Sequence, residues 1–121
     1  MYGLPGEEVL HRTIAYAKEK GLYIILDVKR NDIGSTAEAY SKAYLGKVDI
    51  DGELVSPCDV DCVTVNPYLG TDGIAPFVED CKKYDKAIFA LVKTSNPSSG
   101  ELQDLKVGNE CIYEKVAQCV N

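Results

Sequence analysis

Residues 22–36 read Leu22-Tyr23-Ile24-Ile25-Leu26-Asp27-Val28-Lys29-Arg30-Asn31-Asp32-Ile33-Gly34-Ser35-Thr36, and this stretch decides the fold. An apolar run breaks into the charged groups Asp27, Lys29 and Asp32, then into small residues suited to a turn. The pattern predicts a strand over Leu22–Leu26 followed by a charged loop. In an extended chain residues i and i+2 share a face, so Asp27 and Lys29 point the same way. Opposite charges at the end of a buried strand are costly unless they pair or take part in chemistry. Asp32 falls where the chain has already turned toward the next helix. Two carboxylates and an ammonium at one strand end form a candidate site.

On either side of this stretch the chain alternates helix and strand. Ahead of it, Pro5-Gly6 precedes a helix from about Glu7 to Lys20, with Leu10, Ile14 and Ala17 at helical spacing and Gly21 as the stop. Behind it, Ser35 and Glu38 have capping-box spacing at the start of a helix running to about Leu45. Gly46–Asp59 reads as an irregular polar insertion with a turn at Asp49–Gly52. A strand is predicted at Asp61–Val65, then a helix over Gly73–Tyr84 with Asp72 as its cap. Ala87–Val92 is near-continuously apolar, which predicts a strand buried on both faces. A final helix is expected from about Asn109 to Val120.

This order predicts an α/β fold with parallel strands, about three βα units preceded by a helix, in a single domain over residues 1–121. In such folds functional groups collect where strands end and helices begin. The polar loops 27–36, 66–72 and 93–100 all fall on that edge. Each has a plainer reading. Asp27 and Lys29 could be a solvated ion pair worth about 0–1 kcal/mol. Asn66-Pro67 and Asn96-Pro97 could simply stop strands.

Composition narrows the function classes. The net charge of -6 argues against nucleic acid as a partner, since that requires a basic face. No apolar run reaches the roughly 18 residues of a membrane span, and the chain opens on no signal peptide, so a cytoplasmic protein is expected. Five cysteines without CxxC spacing fit reduced thiols better than a disulfide framework or zinc site. The lone His11 sits in a polar-faced helix pattern and is expected at the surface or in helix packing.

Asp27-Val28-Lys29-Arg30-Asn31-Asp32-Ile33-Gly34-Ser35-Thr36 closely resembles the signature of the orotidine 5'-phosphate decarboxylases, best of all their longer bacterial group. Thr64-Val65-Asn66-Pro67-Tyr68-Leu69-Gly70 and Val92-Lys93-Thr94-Ser95-Asn96-Pro97 resemble further stretches of that group, in the same order. DxKxxD alone is shared with sugar-phosphate decarboxylases of the same suprafamily. The resemblance implies part of a (β/α)8 TIM barrel, matching its third to fifth strands. A whole barrel takes about 200–250 residues. A ribose-binding aspartate and a second lysine would then lie upstream of Met1, and the phosphate-gripping glutamine and arginine beyond Asn121.

The reaction implied is decarboxylation of orotidine 5'-phosphate to uridine 5'-phosphate in pyrimidine biosynthesis, with no metal and no organic cofactor. Asp27 would sit beside the substrate carboxylate. Lys29 would stabilise and protonate the carbanion. Asp32, with Ile33 and Thr36, would reach into the other subunit of a homodimer, and Ser95 would bond the pyrimidine. Arg30 would be structural or solvent-facing. The competing expectations are a non-catalytic α/β module and another decarboxylase of the suprafamily.

Overall fold

The computed structural model describes residues 2–121. Three parallel strands form its sheet: β1 (Ile25–Arg30), β4 (Cys62–Val65) and β5 (Ala87–Ala90), in that spatial order. Helix α1 (Gly3–Glu19) precedes the sheet; α2 (Gly34–Tyr44) connects β1 to β4, and α3 (Thr71–Tyr84) connects β4 to β5. Two small antiparallel hairpins, β2–β3 (Val48–Ile50, Glu53–Val55) and β6–β7 (Lys106–Val107, Glu110–Cys111), sit between these units and the final helices. Those helices are α4 (Gly100–Gln103) and α5 (Ile112–Val120).

Each crossover leads to the adjacent strand, so the sheet winds in one direction. One core lies on one side of it. Val63 and Val65 of β4 pack with Ile14 of α1, Ala37 of α2, Phe77 of α3, and Leu45 and Val60. Leu26 and Val28 of β1 and Ile88 and Ala90 of β5 join this core from the same sheet face. Ser41 of α2 is fully buried and donates its one proton to Asp80 Oδ2 at 2.6 Å, with the Pro76 carbonyl 3.2 Å from the same hydroxyl, fixing α2 against α3. The opposite face is open. Ile25 is 50% exposed and Phe89 58% exposed. The accessible surface is 8281 Å², against roughly 6,400 Å² for a compact monomer of this mass.

Several boundaries differ from the sequence expectation. Helix α1 begins at Gly3 rather than Glu7, because Pro5 lies in a first turn whose N–H groups have no helical acceptor anyway. Its end is as expected: Gly21, at φ +71°, bonds the Lys18 carbonyl while the Leu22 N–H bonds that of Ala17, the paired bonds of a Schellman stop. The first strand runs later than Leu22–Leu26 and passes through the charged residues. Its ladder begins at Ile25↔Cys62, leaving Leu22 and Tyr23 exposed. Helix α2 starts at Gly34, so Ser35 lies inside it and makes no capping bond. Likewise α3 starts at Thr71, and Asp72 sits in its first turn without a capping bond.

Gly46–Asp59 is not wholly irregular. Asp51 (φ +54°) and Gly52 (φ +87°) make the two-residue turn of the β2–β3 hairpin, with the Gly52 N–H bonded to Asp49 Oδ1. The segment before α5 is also a hairpin, so that helix begins at Ile112 rather than Asn109. Strand β5 is shorter than Ala87–Val92 and is not buried on both faces, because helices cover one face only. His11 is exposed on α1.

Candidate active site at the strand ends

Strand β1 does not follow β4 evenly. Leu26 pairs with Val63 and Arg30 with Val65, so four steps on β1 span two on β4. The surplus forms a bulge over Asp27–Lys29, with Lys29 in the left-handed region at φ +47°. A non-glycine residue there costs on the order of 1–3 kcal/mol, held only where surrounding bonds enforce it. Here the bonds are visible. The Lys29 N–H leaves the strand ladder and donates to Thr64 Oγ1 at 2.9 Å. The Thr64 hydroxyl in turn donates to Asp27 Oδ1 at 2.7 Å.

The Lys29 ammonium closes the unit, reaching Asp27 Oδ1 at 2.6 Å and Oδ2 at 2.5 Å. Both side chains lie on the open sheet face and are about half exposed. The Lys29 ammonium first, then the Thr64 hydroxyl, hold the Asp27 carboxyl below its usual range. Asp27 is therefore ionised near neutral pH. Arg30, next in the strand, turns the other way. Its guanidinium stacks over Tyr40 with 4.9 Å to the ring centroid and takes the Tyr44 hydroxyl as acceptor at 3.1 and 3.2 Å. That is the structural role the alternation anticipates.

Asp32 is not a third member of this cluster. Its Oδ1 accepts the N–H of Ile33 at 2.9 Å, and among the described residues it makes no ion pair with Lys29. The bulge turns Lys29 back onto Asp27, while the following residues lead away into α2. Ile33 (53% exposed) and Thr36 stand on the surface at the start of that helix.

The next two strand ends are tied into the same edge. The Asn66 N–H bonds the Arg30 carbonyl at 2.8 Å, and the Leu91 N–H bonds that of Val65 at 3.0 Å. Asn66 Oδ1 also accepts the Tyr68 N–H, fixing the turn that leads to α3. In the third loop Gln103 clamps Thr94 twice: Oε1 accepts the Thr94 N–H at 2.9 Å and Nε2 donates to the hydroxyl at 2.8 Å. Lys93 pairs with Asp104. Ser95 follows directly and is exposed. A cleft of about 360 Å³ opens past the β4 and β5 ends, bordered by Asn66, Tyr68, Thr94, Gln103 and Tyr113, with neither Asp27 nor Lys29 in its lining.

The structure thus brings Asp27 and Lys29 into contact and leaves Asp32, Ile33, Thr36 and Ser95 at separate points of the edge. Thr64 was not singled out from the sequence as a site residue. Its signal was faint: one hydroxyl in the run Cys62-Val63-Thr64-Val65, on the side opposite the core valines. Gln103 had no signal, because its contact with Thr94 depends on how α4 folds back.

A singly wound parallel sheet, helices on one face and ionised groups at the carboxyl ends of its strands, defines a segment of a β/α-barrel protein. A match to the orotidine 5'-phosphate decarboxylase / HUMPS family runs over residues 2–119. The chain belongs to that family. It is 52% identical over 119 residues to the orotidine 5'-phosphate decarboxylase of Caldicellulosiruptor saccharolyticus, covering 98% of this chain and 39% of that protein. It is 51% identical over 118 residues to that of Rhodopirellula baltica, covering 98% and 38%. Among solved structures, Leishmania donovani OMP decarboxylase superposes with a TM-score of 0.79 at 36% identity, over 97% of this chain and 41% of that one. The chain spans about two fifths of the length of the curated relatives it matches. No helix among the described residues is long and apolar enough to cross a membrane.

Proposed function

We propose that this chain carries the charged centre of an orotidine 5'-phosphate decarboxylase, with Lys29 as the proton donor and Asp27 as its partner. The observation carrying this reading is the Asp27–Lys29 pair, hydrogen-bonded to Thr64 at a barrel-type strand edge. In the reaction the bond from the pyrimidine ring to its carboxylate breaks, CO2 leaves, and the electron pair stays on the ring carbon. A fixed ammonium is suited to that anion, because a unit charge at about 4 Å gains about 4 kcal/mol at an effective dielectric of 20. Lys29 then delivers a proton from Nζ to the carbon. Asp27 holds the lysine ammonium in place and, beside the substrate carboxylate, repels that carboxylate until CO2 departs.

Ser95 would bond the pyrimidine from the third loop. Asp32, Ile33 and Thr36 would serve the partner's site in a cytosolic homodimer; the exposure of Ile33 and Thr36 at the start of α2 supports this part. Phosphate-gripping groups are not among the residues assigned here, and contacts remote from the reacting carbon normally supply binding energy used at the chemistry. The 121-residue chain by itself is therefore expected to show little or no turnover.

Two measurements test the reading. Millimolar uridine 5'-phosphate, added to isotope-labelled chain, should shift the amide resonances of Asp27, Lys29, Thr64 and Ser95. Resonances that stay fixed at saturating nucleotide would overturn it. In a CO2-release assay with Lys29→Ala as control, a rate near that of a complete enzyme, lost in the variant, would overturn the expected low turnover.

A further inference from the structure

We propose that Thr64 is a positioning residue: its single hydroxyl holds both the Asp27 carboxylate and the left-handed turn at Lys29, and so aims the lysine ammonium. The inference rests on the reading of Asp27 and Lys29 as the working pair. Thr64 itself would touch no reacting atom.

A bulge leaves backbone groups of one strand without ladder partners. Between Leu26↔Val63 and Arg30↔Val65 the β1 backbone has more residues than β4 can pair. A backbone N–H that leaves the ladder takes another acceptor, from the protein or from water. Thr64 lies opposite the bulge and accepts the Lys29 N–H at 2.9 Å, using one of its lone pairs. Its only proton then goes to Asp27 Oδ1 at 2.7 Å. The hydroxyl's one proton and one of its two lone pairs are engaged, and each bond fixes the other's direction. One residue on β4 therefore sets both the position of the acid and the backbone angle from which the lysine side chain leaves.

No other side chain of β4 does this. Val63 and Val65 face the core, and the Cys62 thiol meets the Val63 carbonyl rather than the bulge. Threonine's branched Cβ also restricts its rotamers, so the hydroxyl is aimed before the bulge forms. Valine has nearly the same shape but neither donates nor accepts. In Thr64→Val the Lys29 N–H would lose its protein acceptor, and with it the bond opposing the strain at φ +47°. Lys29 would relax toward an extended conformation. Asp27 would keep the ammonium but lose a hydrogen bond that favours its charged form.

The test is carbon-detected NMR on the full 121-residue chain, comparing the wild type with Thr64→Val and Thr64→Ser. It reads the Asp27 carboxyl titration and the Lys29 Cα and Cβ shifts, which report left-handed against extended backbone. In Thr64→Val the Asp27 midpoint should rise and the Lys29 shifts should move toward extended values. Thr64→Ser, which restores the hydroxyl, should keep both at wild-type values. Either quantity unchanged in Thr64→Val would overturn the proposal, as would Thr64→Ser behaving like Thr64→Val. A check on the wild type needs no variant to fold: the Lys29 amide should exchange with solvent more slowly than exposed, unbonded amides. Free exchange would overturn the proposal equally. Neither measurement reads turnover or nucleotide binding, so failure here leaves the decarboxylase reading standing, and the reverse holds too.

Discussion

The two faces of the β1-β4-β5 sheet share a backbone and differ in almost everything else. On one, Val63, Val65 and Phe77 are fully buried in a core shared by three helices. On the other, Asp27, Lys29, Ile25 and Phe89 stand largely in solvent. Alternate residues of one strand are thus divided between holding the fold and presenting chemistry. The helix-backed face is finished in its packing, and the charged face has the groups of a site without a wall over them. Stability and function can therefore be perturbed separately, one side chain apart.

The largest expected effect lies on the packed face. Phe77→Ala should destabilise the chain by about 3–5 kcal/mol, the usual cost of removing a fully buried aromatic. Urea unfolding followed by circular dichroism measures it, and a loss below about 1 kcal/mol would break the contrast. Phe89→Ala on the open face should change stability by no more than about 0.5 kcal/mol, since most of that ring already meets water. A cost approaching that of Phe77→Ala would mean the open face is covered in solution, by a second copy or by another chain.

The smallest effect is the acid response of the open face. The folded-state pKa of Asp27 lies below its ordinary value of 3.8. Its contribution is therefore fully present above that value and is lost as pH falls through the folded pKa. Asp59 behaves alike: burial pushes its carboxyl up, but Lys18 and Lys86 outweigh that and leave it below 3.8. Stability should hold from neutral pH down to about pH 4 and fall beneath it. Asp27→Asn should flatten part of that fall and Asp59→Asn another part, read from urea midpoints between pH 2.5 and 7. An acid slope untouched by either substitution would show that these pairs contribute nothing measurable, as many exposed pairs do.

Much of this contrast was legible in the chain. The alternation of helix and strand, the glycine stop at Gly21 and the three polar strand ends all come from local rules acting over a few residues. What was misread depended on partners distant in sequence. Apolar residues alone mark a strand over Leu22–Leu26, yet pairing with Cys62–Val65 carries it on through Arg30. Asp32 lies close to Asp27 and Lys29 in sequence, yet among the described residues it makes no ion pair with Lys29 and instead accepts the Ile33 N–H. The Asp-Gly turn at Asp51-Gly52 was seen as a turn, while the hairpin around it was missed because its strands are only three residues long.

By itself the sequence determined the class of fold and the family likeness, because periodicity and short motifs act within a few residues. It also set Asp27 and Lys29 near each other, but the bulge, not an extended i, i+2 face, brings them into contact. Tertiary structure alone decided the rest. Register between β1 and β4 placed two surplus residues opposite Thr64, and a hydroxyl 35 positions from Lys29 became the acceptor of its backbone N–H. Such a contact has no local signature, since it is fixed by which residues two separate strands bring side by side.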